Sequence, residues 1–235
     1  MASKANPEVG LKELRAFLDS VKLNTNSVDA NDAKTKKFYK KIFALLLFDY
    51  IIQSSSLSDE VKEYARESAS DISHGSFLTF VNLYKPSRVS LRSGIENLLR
   101  YLLLTKGVDS PKIKDVYSLF ETANRLFKEN ESQKKRIGLL HGYYSELCKS
   151  VHSAGSSYMN LKVPFNKMLE FDEKKFSENR KILHETISIV CEVLFIHNHN
   201  LVEEAHHSHK DILADSVSKL VKKEAREVKE KIQRK

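Results

Sequence analysis

The sequence predicts an all-α protein, built as an up-and-down helical bundle with additional flanking helices. Glycine and proline are scarce, at 7 and 4 of 235 residues, and tryptophan is absent. Such a composition favours helices over a sheet-rich fold with many tight turns. Apolar residues recur at helical spacing along most of the chain, whereas strand signals are nearly absent. Short connections between consecutive helices favour antiparallel neighbours, as in an up-and-down bundle.

The helices can be placed in order from the spacing of apolar residues and from the polar stretches between them. Residues 24–32 are predicted to be a loop, and residues 154–170, which contain Pro164, form the longest irregular stretch. The predicted helices span residues 8–23, 33–54, 58–83, 86–104, 110–128, 131–152, 172–204 and 211–234.

Start and stop residues set the bounds of the third and fourth helices. Ser58, followed by two acidic residues, is typical of a helix start, and His74–Gly75 is the candidate position for a break in the third helix. Pro86 opens the fourth helix, because proline suits the first helical turn, and Gly107 closes it.

Charge and cysteine content bear on partners and compartment. The net charge of +8 and the pI near 9.2 favour an anionic partner such as nucleic acid or an acidic protein. Cys148 and Cys191 lie within helical patterns, which is typical of buried thiols in a reduced compartment. No signal peptide is visible, and the apolar run 42–52 is too short to span a bilayer and contains Asp49. We therefore expect a cytoplasmic protein that does not enter a membrane.

Two segments near the middle of the chain indicate a functional site. In residues 90–104, Arg92, Glu96 and Arg100 follow one another at i, i+4 and i+8, so their side chains form one polar stripe on a helix. In residues 144–153, His152 ends a run whose other regular positions are apolar. A titratable imidazole at the edge of a buried face, with a charged helix available to meet it, is typical of a functional site.

The helix at 131–152 places two histidines on one face. At about 100° per residue, His141, Ser145, Cys148 and His152 lie within about 60° of one another. Both histidines therefore point toward the apolar side of the helix. Each fits either a functional imidazole or a boundary histidine that one hydrogen bond satisfies.

The two segments carry the patterns Arg-Ser-x-x-Glu-Asn-x-x-Arg and Tyr-x-x-Leu-x-x-x-Val-His-Ser. The residues that form them are Arg92, Ser93, Glu96, Asn97, Arg100, Tyr144, Leu147, Val151, His152 and Ser153. This pairing resembles the HEPN superfamily of helical bundles, in particular divergent members among prokaryotic defence and abortive-infection proteins. The match covers residues 88–155 directly. It implies a single domain over 1–235, with a HEPN-like core at about 33–205 and a basic C-terminal helix at 206–235.

The resemblance implies a metal-independent endoribonuclease that needs no cofactor and acts at a site between two copies of the chain. The ribose 2′-hydroxyl would attack the adjacent phosphate. His152 would transfer a proton or position the scissile phosphate, and an arginine would stabilise the charge on the phosphoryl oxygens.

This chain departs from the usual family signature, in which an arginine shortly precedes the histidine. The positions before His152 hold Ser145, Glu146 and Leu147 instead. Arg92 or Arg100 would then supply the cation, with Glu96 on the same stripe. The pair Arg136–His141 has the formal spacing, but it lies about three helical turns before His152.

Two basic clusters are candidates for contacting nucleic acid, because lysine and arginine neutralise phosphates without reading sequence. In the first cluster Phe38 and Tyr39 lie among the lysines, as stacking groups or as core anchors. The second cluster also fits a solvated helix packed by one apolar stripe. The candidate phosphate contacts are Lys36, Lys37, Lys40, Lys222, Lys223 and Arg226.

Residues 197–209 contain five histidines and two glutamates. On one continuous helix, His199, Glu203 and His206 or His207 would share a face, which is an acceptable arrangement for zinc. The same composition is typical of a solvated helix end, and we predict no metal site there.

Two functions remain open from the sequence. The first is a HEPN-like endoribonuclease of a prokaryotic defence or toxin–antitoxin system, which acts on RNA as a homodimer and has a partner or antitoxin protein. The alternative is a non-catalytic helical module that binds nucleic acid or a partner protein as a sensor or regulator. The missing arginine before His152 favours the module. Charged side chains near a core favour the enzyme, because burying them costs stability unless function requires it.

Overall fold

The computed structural model describes residues 6–20, 32–151, 155 and 169–233. The all-α prediction is confirmed, and this part of the chain contains no strand. A 3-10 turn at Ser110–Lys112 precedes α5. The helices are α1 (Pro7–Ser20), α2 (Ala33–Gln53), α3 (Asp59–Phe80), α4 (Tyr84–Leu104), α5 (Val116–Leu126), α6 (Glu131–Val151), α7 (Glu173–His197), α8 (His199–Glu204), α9 (His207–Asp215) and α10 (Lys219–Gln233).

The helices α2, α3, α4, α6 and α7 form an up-and-down bundle. α3 and α4 are antiparallel, since Ser68 Oγ donates to the Gly94 carbonyl over 2.8 Å and the Thr79 and Ser87 hydroxyls are also 2.8 Å apart. α6 is antiparallel to α7, because Arg136, early in α6, pairs with Glu192, late in α7. α4 and α7 are parallel, because Arg88 near the start of α4 donates to Asn179 near the start of α7.

One end of this bundle matters for the site. The starts of α2 (Ala33), α4 (Tyr84) and α7 (Glu173) lie there with the ends of α3 (Phe80) and α6 (Val151). We call this the upper end of the bundle. A helix start carries a partial positive charge and a helix end a partial negative one, so three starts and two ends leave a small positive excess there.

A buried polar network joins α3, α4 and α7 at the upper end. Asn179 Nδ2 donates to Thr79 Oγ1 over 2.8 Å and to Ser87 Oγ over 3.0 Å. Arg88 Nε donates to Asn179 Oδ1 over 2.8 Å. These bonds satisfy polar groups inside the bundle and fix the relative positions of the three helices.

Close packing of α3 against α4 corrects one boundary prediction. α3 is continuous through His74–Gly75, so no break occurs there. A Cβ on Gly75 would lie 2.9 Å from the Ser87 carbonyl oxygen, and one on Gly94 would lie 2.5 Å from Ile72 Cγ1. These glycines let the two helices approach closely and do not interrupt them.

The C-terminal region is also more divided than the sequence predicts. The helix expected at 172–204 ends at His197, and α8 follows after Asn198. Tyr101 donates a hydrogen bond to Asn198 Oδ1 over 2.5 Å, which holds the chain at this corner. The helix expected at 211–234 consists of α9 and α10, with Ser216 buried between them. Hydrogen bonds of the Asn198 and Ser216 side chains therefore accompany both divisions.

Both cysteines have free thiols, and Cys191 is fully buried in the core. Burial raises the pKa of its thiol to about 12, so it remains protonated. Among the described helices, none combines the length and the apolarity needed to cross a bilayer.

His197, at the end of α7, is held neutral by its surroundings. Its ring lies edge-on to Tyr101, at a centroid separation of 5.7 Å, and its Nε2 is 2.7 Å from Thr105 Oγ1. Because the Thr105 hydroxyl already donates to the Leu102 carbonyl, the His197 nitrogen is the donor to Thr105. Burial, with Lys106 nearby, lowers the pKa of His197 to about 3.

We expect the free energy of unfolding to fall as the pH drops below about 6.5, the usual pKa of an unfolded histidine. Between that pH and the folded pKa, the unfolded chain binds a proton at His197 that the folded chain excludes, so acid favours unfolding. The expected loss is about 2 kcal/mol at pH 5. Urea unfolding at pH 7 and pH 5 measures this loss.

His197→Gln should lose less stability on acidification, and the exposed control His74→Gln should behave like the parent. Equal acid sensitivity of the parent and His197→Gln would contradict this account.

Candidate functional site

Arg92 and Glu96 of α4 and Tyr144 of α6 form a hydrogen-bonded cluster between the two helices. Arg92 Nε donates to Tyr144 Oη over 2.7 Å, and the Tyr144 hydroxyl donates to Glu96 Oε1, also over 2.7 Å. Arg92 Nε and Glu96 Oε1 are 3.4 Å apart. The guanidinium carbon lies 5.1 Å from the centre of the Tyr144 ring. One phenol therefore orients both charged groups.

The cluster keeps Arg92 charged and Tyr144 protonated. Burial, together with the hydrogen bond to Glu96, raises the pKa of the Tyr144 phenol above its usual value. Burial works against the charged form of Arg92, but the hydrogen bond to Tyr144 and the nearby Tyr144, Cys148 and Glu96 groups leave its pKa raised. At neutral pH Tyr144 therefore positions its neighbours, and Arg92 carries a permanent positive charge.

Arg92 retains donors for a ligand. Within residues 32–151 and 169–233, the Arg92 side chain donates a hydrogen bond through Nε, and it is 28% exposed. A phosphate or carboxylate binds a guanidinium through two N–H groups in one plane, and the terminal nitrogens of Arg92 can supply them. The geometry therefore suits an oxyanion at Arg92, with Tyr144 and Glu96 holding the guanidinium in place.

His152 lies outside the described residues, as does the pocket predicted around it. The last residue of α6 is Val151, at the upper end of the bundle. Cys148, about one turn before position 152, is close enough to Arg92 to influence its pKa. Because α4 and α6 are antiparallel, Arg92 is the member of the predicted stripe that lies nearest to the end of α6.

Arg100 does not share this cluster. Its Nη1 donates to the Ser110 carbonyl over 2.5 Å, and its Nη2 donates to the Ile113 carbonyl over 3.2 Å. Along the axis of α4 it lies about 12 Å from Arg92, on the side away from the upper end. Arg100 therefore holds the 3-10 turn against α4, and the predicted three-residue stripe divides between two roles.

Arg136 of the formal Arg136–His141 pair is a buried structural cation. Its Nε and Nη2 atoms are each 2.8 Å from a carboxylate, that of Glu192 on α7 and that of Glu224 on α10. Its Nη1 also donates to the Ser132 carbonyl over 2.9 Å. Arg136 thus joins three helices, and its hydrogen bonds are directed away from His141.

The two basic clusters lie at different places on the bundle. Lys36, Lys37 and Lys40 occupy the first turns of α2 at the upper end, and the described residues offer them no ion pair. The cluster on α10 lies beside the start of α6, because Glu224 of α10 bonds there to Ser132 over 2.6 Å. Since α6 is about 30 Å long, the two clusters cannot contact one phosphate. The α10 members are Lys222, Lys223, which pairs with Glu227 at 3.8 Å, and Arg226.

The histidine-rich segment does not form a metal centre in the described structure. In the part of the chain that the structure covers, no three His, Cys, Asp or Glu side chains meet in an arrangement that could hold a metal ion. The helix ends at Glu204, so His199 and Glu203 do not share a continuous helix with His207. His206 instead begins α9, where its Nδ1 accepts from the Ser208 amide.

Sequence reasoning missed the role of Tyr144, which we assigned to the apolar face of its helix. The residue is indeed buried, but its hydroxyl bridges the Arg92 and Glu96 side chains. The signal that could have identified it is a tyrosine on the helix facing an Arg–Glu pair at i, i+4, because a buried phenol needs a polar partner. His141 points toward the apolar side, as predicted, and stacks on Phe120 at 4.4 Å.

Comparison of the chain with protein-family models, with curated proteins and with solved structures found no match.

Proposed function

We propose that the protein is a metal-independent endoribonuclease in which Arg92 and His152 act on one phosphate of an RNA strand. The observation that carries this proposal is the orientation of Arg92 by Tyr144 and Glu96, with its terminal nitrogens available for an oxyanion. A fixed cation stabilises the charge that gathers on phosphoryl oxygens in the transition state, because no reorganisation is needed at that moment. The resemblance of residues 88–155 to the HEPN superfamily supports the same assignment.

The proposed reaction is an internal transfer. The ribose 2′-hydroxyl attacks the adjacent phosphorus, and the bond from phosphorus to the 5′-oxygen breaks. One proton leaves the 2′-hydroxyl and one reaches the departing 5′-oxygen, and His152 is the group proposed for proton transfer. The products are a 2′,3′-cyclic phosphate and a 5′-hydroxyl. Each step uses imidazole and guanidinium groups, so the chemistry proceeds without a metal ion.

Charge at the upper end of the bundle supports an RNA substrate. The first turns of α2 carry Lys36, Lys37 and Lys40, at the same end as the last turn of α6. Lysines there can bind other phosphates of the same RNA, in a manner that weakens with salt. Lys222, Lys223 and Arg226 would form a separate contact for a longer RNA.

The proposal includes the assembly and the setting. A homodimer would bring a second imidazole to the same phosphate, since a two-fold axis places the same residues on both sides of an interface. We place the protein in the cytoplasm, in a prokaryotic defence or toxin–antitoxin system with a partner or antitoxin protein.

A non-catalytic module that binds nucleic acid or a partner protein is the second candidate. The observation that favours it is the double ion pair of Arg136, which commits the arginine of the formal Arg136–His141 pair to the core. Such a module would retain RNA binding without cleaving it.

Expression in a bacterial host separates the two functions. The parent should slow growth and fragment cellular RNA, whereas His152→Ala should allow normal growth with intact RNA. His74→Ala removes an exposed histidine of α3 and is the matched control, which should act like the parent. Intact RNA in cells that accumulate the parent protein would favour the binding module.

A further inference from the structure

A row of aromatic rings connects the surface of the protein to Arg92. It begins at Tyr117 near the start of α5, passes through His141 and Phe120, and reaches Tyr144 in the candidate site. The centroid separations are 5.9 Å from Tyr117 to His141, 4.4 Å from His141 to Phe120 and 5.6 Å from Phe120 to Tyr144. We call these four residues the aromatic row.

The two ends of the row differ in exposure. Phe120 is 1% exposed and Tyr144 is 6% exposed, so these rings belong to the core. Tyr117 is 72% exposed, the largest value among the exposed large apolar side chains of the described residues. His141 is half-buried between them and stacks on Phe120 with an interplanar angle of 22°. Packing in the core therefore accounts for the inner rings, whereas Tyr117 presents most of its ring to solvent among the described residues.

Charged residues lie on both sides of Tyr117 in the sequence, with Lys114 and Asp115 before it and the exposed Glu121 one turn after it. The nearest carboxylate in sequence, Asp115, caps α5 by accepting from the Ser118 amide over 2.8 Å. Lys114, on the other side of the cap, is exposed and can contact a phosphate. Tyr117 and Lys114 are thus both exposed, and the row leads from Tyr117 through the core to the partly exposed guanidinium of Arg92.

We propose that the exposed Tyr117 ring, against which the His141 ring stands edge-on at an interplanar angle of 78°, is a stacking platform for a base of the single-stranded RNA whose phosphate Arg92 holds. This inference rests on the proposed function and names the substrate feature that the site reads. A flat aromatic face next to cationic groups matches a nucleotide, which pairs a π-surface with an anion. Stacking accepts every base, so the platform selects unpaired RNA over duplex without requiring one sequence.

Binding of a short 2′-O-methyl oligoadenylate tests the platform, because this probe cannot undergo attack by a 2′-hydroxyl. Tyr117→Ala should weaken binding about fivefold or more, whereas Tyr117→Phe should retain parent affinity.

Tyr50→Ala is the matched control. Tyr50 is 59% exposed and lies edge-on to His209 at 5.6 Å, but it is on α2, away from Arg92. The control should bind like the parent. An oligomer of the same length without bases should bind the parent as weakly as the complete probe binds Tyr117→Ala.

Fluorescence tests direct contact between position 117 and a base, independently of the affinity measurement. The chain contains no tryptophan, so Tyr117→Trp supplies a single indole whose emission a stacked base should quench. Quenching that saturates with the probe supports the platform, and unchanged emission at saturating probe overturns it.

The outcomes separate this inference from the proposed function. Parent-like binding by Tyr117→Ala, together with weaker binding by Arg92→Ala, overturns the platform and leaves the phosphate site in place. A parent protein that binds no RNA overturns both.

Discussion

Replacing Arg92 with alanine should lower the rate of RNA cleavage about 100-fold to 1,000-fold, the range expected when a fixed donor to a developing oxyanion is removed. The side chain is held by Tyr144 and Glu96, so its position does not depend on the substrate. Arg92→Lys keeps the charge but loses the planar group with two terminal donors, and should recover only part of the rate. Tyr144→Phe keeps the ring but removes the bridging hydroxyl, and should also slow cleavage. Single-turnover cleavage of a defined RNA measures all three.

A matched variant shows whether position or charge matters. Arg66 on α3 is 64% exposed and lies 3.9 Å from Asp49, so Arg66→Ala removes the same charge from a surface site. It should cleave at nearly the parent rate. Parent-like cleavage by Arg92→Ala, with circular dichroism showing an intact fold, would exclude Arg92 from the reaction.

Replacing Arg136 with alanine should lower the free energy of unfolding by about 3–5 kcal/mol, the usual cost of breaking a buried ion pair from one side. The Arg136 side chain is 7% exposed and contacts both Glu192 and Glu224 at 2.8 Å. Its removal leaves two largely buried carboxylates without their cation and removes one link between α10 and the helices α6 and α7. Urea unfolding followed by circular dichroism measures the change.

The control for this prediction is an exposed ion pair on the same helix. Lys134 and Glu131 are 3.6 Å apart, with side chains 47% and 82% exposed. Lys134→Ala should change stability by less than about 1 kcal/mol, because water screens surface pairs. If Arg136→Ala costs no more than Lys134→Ala, the three-helix junction does not contribute as the structure indicates.

The helical pattern was sufficient to predict the fold class, because the amphipathic spacing of α3, α4, α6 and α7 depends on local sequence. The boundaries depended on tertiary contacts that no local signal contains. His74–Gly75 resembles a helix break, yet Gly75 lies inside α3 because the backbone at Ser87 passes close to it. Asn198 ends α7 because Tyr101, distant in sequence, binds its side chain.

The sequence predicted the part of the candidate site that depends on local spacing and missed the part that depends on tertiary contacts. The i, i+4 spacing on α4 places Arg92 beside Glu96, and this local prediction agrees with the structure. The same spacing predicts Arg100 as the next member of the stripe. In the structure, the guanidinium of Arg100 instead donates to the Ser110 carbonyl, in the turn that follows α4. Tyr144 was assigned to the core by its apolar ring, since periodicity does not show which buried phenol will meet a charged helix.

The chemical ends of RNA cleaved by the purified protein in EDTA test the central claim most directly, because they report the nucleophile and the metal requirement together. The account predicts products with 2′,3′-cyclic phosphate and 5′-hydroxyl ends from the parent. Arg92→Ala and His152→Ala should form far less product, and His152→Ala should still bind the RNA, since phosphate affinity comes from Lys and Arg side chains. Mass spectrometry of a defined oligonucleotide identifies these ends. Loss of cleavage in EDTA, products with 5′-phosphate ends, or parent-like cleavage by His152→Ala would contradict the account.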